Sequence, residues 1–148
     1  KNPELISESA KLVGSQSVVV SIDVKKNLFG TYKTYILNGK EGTGIGPVEL
    51  AKKMQDAGAG EVFLNSIDKD GTFSGYDLDL VNKVSTALNI PLIACGGAGS
   101  VEDFLQAVKN GASAVAAGSF FVFQRPHKAV LISYPGQAEL HDKIYSKL

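Results

Sequence analysis

The chain is an α/β protein with a parallel sheet, and three observations predict it. Strand-like and helix-like segments alternate four times along the chain, the pattern of repeated βαβ units. A helix end that runs into a strand, Gly58-Ala59-Gly60-Glu61-Val62, is echoed 53 residues later by Gly111-Ala112-Ser113-Ala114-Val115. Ser66 and Ser119 then hold the same place after each copy. A short apolar strand also empties into Cys95-Gly96-Gly97-Ala98-Gly99 and then into a capped helix.

The elements follow in order. Leu5 to Val13 reads as a helix with no strand before it, and the chain lacks an initiator methionine. It therefore reads as a piece of something longer. Ser17 to Ile22 is β-branched and apolar, which suits a buried strand, and it ends at Asp23. Thr31 to Leu37 alternates apolar with polar residues and meets Asn38-Gly39, the signature of a hairpin turn. Pro47 to Ala57 is a helix with proline in its first turn and Gly58 as its stop. Glu61 to Asn65 is a second strand, followed by a polar loop from Ser66 to Gly75.

Asp77 to Leu88 carries Leu78, Val81, Val84 and Leu88 at helical spacing. Leu92 to Cys95 is the third strand. Val101 to Asn110 is the next helix, with Ser100 as N-cap and Asp103 completing an acidic capping box. Ala114 to Ala117 is the last strand, and Gly118-Ser119 opens a turn of helix over Phe120 to Phe123. The tail from Pro126 reads as partly helical, with a break at Pro135-Gly136.

Composition narrows the function. The 148 residues suit a single domain, 1–148. Lys+Arg and Asp+Glu number 15 each, so the chain offers no polyanion-binding surface and no nucleic-acid partner is expected. Cys95 is the sole cysteine, which fits a reducing, cytoplasmic setting. No apolar run approaches the roughly 18 residues of a membrane span. No metal-ligand cluster, dinucleotide fingerprint or P-loop occurs, so no metal and no cofactor is expected.

Chemistry concentrates at strand ends, the ligand side of α/β proteins. Asp23 follows six uncharged residues. It reads either as a loop-capping carboxylate or as a general acid or base. Asp70 lies after the next strand, so two carboxylates from successive strand ends can flank one substrate. Asn65 can orient a substrate or cap the loop, and Lys25 can screen substrate charge. Asp68 and Lys69 read as a local turn or ion pair. Gly96 and Gly97, with free N–H groups at the start of the helix after them, form one side of a candidate phosphate cup; Gly118 and Ser119 form the other. Cys95 reads as a small apolar residue, because no histidine near it in sequence would activate it. Four β/α units leave two architectures open, a small doubly wound sheet or half of a closed barrel with bare strand edges.

Several stretches together resemble one family. They are Val18-Val19-Val20-Ser21-Ile22-Asp23-Val24-Lys25, Asn38-Gly39-Lys40, Thr43-Gly44, Gly58-Ala59-Gly60-Glu61, Ser66-Ile67-Asp68-Lys69-Asp70-Gly71-Thr72, Ser74-Gly75-Tyr76-Asp77 and Ala94-Cys95-Gly96-Gly97-Ala98-Gly99. The family is the HisF-like cyclase subunits of imidazole glycerol phosphate synthase. A sister family, the phosphoribosyl-formimino isomerases, shares the Asp-Gly-Thr loop but has Gly-Trp after the segment where this chain has Thr43-Gly44. This chain has no tryptophan.

The resemblance implies the C-terminal half, four β/α units, of a (β/α)8 TIM barrel. It implies an enzyme, a lyase of histidine biosynthesis, that takes ammonia from a glutaminase partner. With it the enzyme splits and cyclises a phosphoribulosyl aminoimidazole carboxamide. Asp23 matches one of two acid–base aspartates, and the other belongs to the N-terminal half. Asp70 matches an assisting aspartate. Gly96, Gly97 and Ser119 match one of two phosphate sites. The partners expected are that glutaminase, a phosphorylated small molecule, and either the N-terminal half-barrel or a second copy; the chain alone is expected to be inactive. Asn65 stands where the family usually has threonine, and Cys95 where it has serine. From Phe121 the chain resembles a paralogous branch found with surface-polysaccharide genes, which implies ammonia chemistry directed at a sugar.

Overall fold

The structure is a computed structural model that describes residues 3–124, 127 and 129–148. Helix α1 spans Glu4–Val13, and a short 3-10 turn leads to strand β1, Val19–Lys26. Strands β2 (Tyr32–Ile36) and β3 (Glu41–Gly42) precede helix α2 (Pro47–Asp56) and strand β4 (Glu61–Ser66). Helix α3 (Leu78–Ser85), strand β5 (Leu92–Cys95), helix α4 (Val101–Lys109) and strand β6 (Ala114–Val115) follow. The chain ends with α5 (Ser119–Val122), β7 (Phe123–Gln124), β8 (Ala129–Val130) and α6 (Gln137–Lys143).

The six-stranded sheet has the order β3-β2-β1-β4-β5-β6. β1, β4, β5 and β6 are mutually parallel, and β2 and β3 fold back antiparallel at one edge. The parallel strands follow one another in a single direction. A doubly wound sheet instead reverses its order at a switch point, so that architecture does not describe this chain.

Period-two alternation decides which residues form the core. Val20, Ile22 and Val24, Val62 and Leu64, and Leu92 and Ala94 share one face, on which α2, α3 and α4 pack. Ile22, Val62, Leu64, Leu92 and Ala94 are among its buried members. The residues between them face the other way: Val19, Ser21, Asp23, Glu61, Phe63, Asn65, Ile93 and Cys95. They are exposed or half-buried.

Both ends of the parallel array are open. β2 pairs only with Asp23–Lys26, so the outer edge of Val19–Ile22 has no neighbouring strand among the described residues. A groove of about 800 Å³ runs along it, lined by Leu5, Ile6, Val20, Ile22, Leu50 and Met54 among others. At the β6 end a second groove of about 540 Å³ is lined by Val115, Phe121, Leu140 and Ile144 among others.

Local chemistry sets the boundaries. Asn38 and Gly39 both have positive φ, as the primed hairpin turn needs. Asp77 caps α3 rather than beginning it, accepting from Leu80 N at 3.1 Å. The same carboxylate takes the Tyr32 hydroxyl at 2.7 Å, and Asp79 lies 3.1 Å from that hydroxyl. Burial, then these carboxylates, push the Tyr32 phenol far above its ordinary range. The edge hairpin is thereby pinned to α3.

At α4 the capping box forms as the sequence predicts. Asp103 N donates to Ser100 Oγ at 3.3 Å, and Ser100 N donates to Asp103 Oδ2 at 2.9 Å. Asp103→Ala is expected to cost about 1 kcal/mol, a fall in Tm of about 2–4 °C for a chain of this size. An unchanged Tm would contradict this account of the cap.

Four expectations need correction. The first strand does not begin at Ser17 or end at Asp23: Ser15–Ser17 is a 3-10 turn, and β1 runs from Val19 to Lys26 because the β2 hairpin pairs with Asp23–Lys26 and prolongs it. The last strand stops at Val115 and does not reach Ala117; Ala116 N still bonds Ala94 O, but the backbone then turns towards Gly118. Helix α3 ends at Ser85, short of Leu88. The tail is not helical before Pro135: Ala129–Val130 pairs antiparallel with Phe123–Gln124, and the helix begins only at Gln137. Pro126 lies outside the described residues.

Candidate functional site

The strand ends converge as parallel register requires. Asp23 on β1 is the partner of Asn65 on β4, and Asn65 is the partner of Cys95 on β5. The row lies on the uncovered face. Asn65 Nδ2 donates to Asp23 Oδ1 at 2.9 Å. The other end of the amide, Asn65 Oδ1, is buried without a hydrogen-bond partner. It points towards β5, where a Cβ added to Gly96 would come within 3.1 Å of it.

Burial, more than the nearby Asp70 carboxylate, raises the Cys95 thiol above its ordinary range; the Gly96 N–H partly offsets this, and Asp23 adds a smaller upward push. A thiol so held stays protonated and is a poor nucleophile.

The loop after β4 is folded against its surroundings. Lys69 N and Asp70 N both donate to Ser66 O, and Thr72 N donates to Lys69 O. Asp68 is a structural tie, accepting from Lys26 N at 2.7 Å. Lys69 Nζ reaches Ser74 Oγ at 3.2 Å. Lys69 thus makes a contact within the loop. The Asp68 side chain makes neither a local turn contact nor an ion pair among the described residues, but ties the loop to the backbone of β1.

The glycine run is the loop's other support. Gly75 N donates to Gly97 O at 2.8 Å. A Cβ on Gly97 would lie 2.2 Å from Gly75 O, one on Gly96 2.5 Å from Ser66 O, and one on Gly99 2.3 Å from Phe73 O. The closest approach these glycines permit is of backbone to backbone. Part of the N–H supply expected ahead of α4 is already taken. Gly99 N and Ser100 N both donate to Asp103 Oδ2 at 2.9 Å, so the helix supplies its own anion.

The two glycine stretches do meet. Asp70, Gly71, Gly96, Gly97, Gly118 and Ser119 line one narrow cleft with Ala98, Ala117 and Phe120. Its free volume is about 10 Å³, room for roughly one water. An anion would therefore rest across its mouth. Lys25 shares the face of Asp23, two residues on, but is exposed, stands opposite Lys33 and does not line the cleft.

Two supports escape a reading of the sequence alone. Buried Tyr76 donates its hydroxyl to Ala116 O at 3.0 Å, tying the loop's exit to the end of β6. Phe73 sits at φ 57°, a conformation rare for a bulky residue. Its only sequence signal is the Gly-rich surroundings. Among the described residues no group of His, Cys, Asp and Glu converges to hold a metal, and no helix is long and apolar enough to cross a membrane.

Comparison with known proteins places this geometry. The profile of the family described as "Histidine biosynthesis protein" matches residues 1–126. A Leptospira interrogans protein, provisionally named imidazole glycerol phosphate synthase subunit HisF, is 45% identical over 147 residues, covering 98% of this chain and 58% of the relative. The Hydrogenobaculum protein named imidazole glycerol phosphate synthase subunit HisF is 48% identical over 145 residues, covering 97% of the chain and 58% of the relative. A Pseudomonas aeruginosa relative, provisionally named as subunit hisF2, is 48% identical over 132 residues, with 88% of the chain and 53% of the relative covered. The chain thus spans a little over half the length of these relatives. It belongs to the histidine biosynthesis protein family, as a HisF-like member.

Proposed function

We propose that the chain is the C-terminal half of a (β/α)8 barrel, a single unit over residues 1–148. The complete barrel would use ammonia to split and cyclise a phosphoribulosyl aminoimidazole carboxamide into imidazole glycerol phosphate. Three facts support the half-barrel: a one-directional strand order, sheet edges bare at both ends, and relatives nearly twice as long. The reading of chemistry rests on one observation. A carboxylate within β1, Asp23, faces the uncovered side of the sheet in one row with Asn65 and Cys95, and the cleft that Asp70, Gly96, Gly97, Gly118 and Ser119 share begins just past Cys95.

Roles follow from position. Asp23 serves one side of an acid–base pair, and a strand-end aspartate from the other half serves the opposite side. Asp70, exposed at the cleft wall, assists. Gly96, Gly97, Gly118 and Ser119 hold one phosphate across the cleft mouth, and the second phosphate is held by the other half. Asn65 orients and Lys25 screens charge at the rim. A glutaminase subunit supplies ammonia, and no cofactor is needed. The lone Cys95 fits a cytoplasmic setting.

A second reading rests on the run from Phe121, whose resemblance is to a paralogous branch found with surface-polysaccharide genes, and a relative numbered as a second HisF aligns with 88% of the chain. In that reading the same ammonia chemistry serves an amidotransferase acting on a surface-polysaccharide sugar.

One assay separates these readings. Full-length protein, given ammonium and the carboxamide substrate, is expected to form imidazole glycerol phosphate. Its absence favours the sugar-directed reading. The 148-residue chain alone is expected to give no turnover, because a single aspartate cannot act on both sides of a substrate. Turnover by the isolated chain as a monomer would overturn the half-barrel proposal.

A further inference from the structure

The Asn65 amide is locked in one orientation. Its Nδ2 donates to Asp23 Oδ1 at 2.9 Å. Its Oδ1 is buried against Gly96 and has no hydrogen-bond partner. Turning the amide over would set its oxygen against the Asp23 carboxylate, so electrostatics forbids the exchange. Asp23 Oδ1 is thereby occupied, while Asp23 Oδ2 has no hydrogen-bond partner among the described residues. A buried acceptor left unmatched destabilises a fold. Such an exception in a native structure calls for an explanation.

We propose that Asn65 is a positioning residue for Asp23, kept despite the orphaned acceptor it leaves. It fixes the carboxylate plane and leaves Oδ2 as the oxygen presented to substrate. The donor Nδ2 does the positioning, and the orphaned Oδ1 is the consequence of a side chain that carries both groups. A residue of similar reach without the second polar end would relieve the defect and lose the grip. This inference rests on the reading of Asp23 as an acid–base group, but its structural half does not need that activity.

The test uses full-length protein and the variants Asn65→Leu and Asn65→Thr. Asn65→Leu relieves the orphaned acceptor but also removes the donor to the Asp23 carboxylate, two opposed effects of similar size, so Tm is expected to stay within about 2–4 °C of wild type. It is expected to lower kcat about tenfold or more with ammonium as nitrogen source. KM for the phosphorylated substrate should change less than about threefold, since no phosphate contact is touched. Asn65→Thr, whose hydroxyl can still donate, should recover part of kcat.

Wild-type kcat in Asn65→Leu would overturn the proposal. So would a fall in Tm beyond that range with kcat and KM lost together, the signature of a merely structural residue. If wild-type protein turns over nothing, the activity reading fails and a spectroscopic arm decides. The Asn65 side-chain NH2 resonance, identified by its loss in Asn65→Leu, should move upfield in Asp23→Asn, where a neutral acceptor replaces the carboxylate. An unmoved resonance would overturn the positioning role.

Discussion

Asp23→Asn in the full-length protein is expected to lower kcat by about 10²–10⁴-fold, the range for removing a general acid or base. The substitution is close to isosteric. An amide oxygen can still accept from Asn65 Nδ2, which now bonds Asp23 Oδ1 at 2.9 Å. The fold should therefore hold, with Tm within about 2–4 °C of wild type. Asp23 is half-buried on the uncovered face, so the change removes a proton-transfer group without opening a cavity. The two measurements must be read together. A large loss of kcat at unchanged Tm supports the acid–base role. Activity within tenfold of wild type would sink it, and would leave Asp23 as a structural partner of Asn65 between β1 and β4.

Gly97→Ala is expected to destabilise the chain by about 3 kcal/mol, through two additive causes. Gly97 has φ +106°, and a left-handed conformation costs a side-chain-bearing residue about 1–2 kcal/mol. The new Cβ would also meet Gly75 O at 2.2 Å and Gly75 C at 2.9 Å. These are backbone atoms that cannot swing aside, and overpacking costs about 1–3 kcal/mol. Tm should fall by about 6–12 °C. The Gly75 N to Gly97 O bond of 2.8 Å should be lost with it, freeing the loop that carries Asp70.

Gly118→Ala is the contrast. Gly118 has φ −101° and open space where its Cβ would stand. That substitution should stay within about 0.5 kcal/mol. Thermal unfolding of the two variants side by side checks the argument, and equal effects would refute it. The difference matters because both glycines line the same cleft. One is glycine for the sake of the fold, and the other has no such need.

Much of the architecture was legible because it depends on local rules. Strand β5 runs from Leu92 to Cys95 as its short apolar run requires, and the Ser100–Asp103 capping box forms as its spacing requires. The Lys69 contact to Ser74 also follows from a tight polar turn, whereas Asp68 reaches the Lys26 N–H of β1, a tie from loop to strand that the local pattern does not record. One misreading reflects tertiary override of local pattern. Ala114 to Ala117 has strand composition, but the chain must turn at Ala116 to bring Gly118 and Ser119 over the cleft. The tail carries a short apolar run, Ala129-Val130-Leu131-Ile132, that a helical reading passes over, and Phe123–Gln124 offers the edge on which Ala129–Val130 pairs.

The sequence by itself determined the class of the fold, the order of its elements as far as Ser119, and the family. Alternation, caps and turn glycines act over a few residues, and all of them are written in the chain. Only the tertiary structure decided what the glycine run touches. A Cβ built on Gly96, Gly97 or Gly99 collides with the backbone of the Ser66–Gly75 loop, across a long separation in sequence that no local pattern records. Only the register of β1, β4 and β5 decided that Asp23, Asn65 and Cys95 share a row. Hydrogen-bond partners between strands depend on how far each strand slides past its neighbour. That offset is set when the buried face packs, by Ile22, Val62, Leu64, Leu92 and Ala94 together.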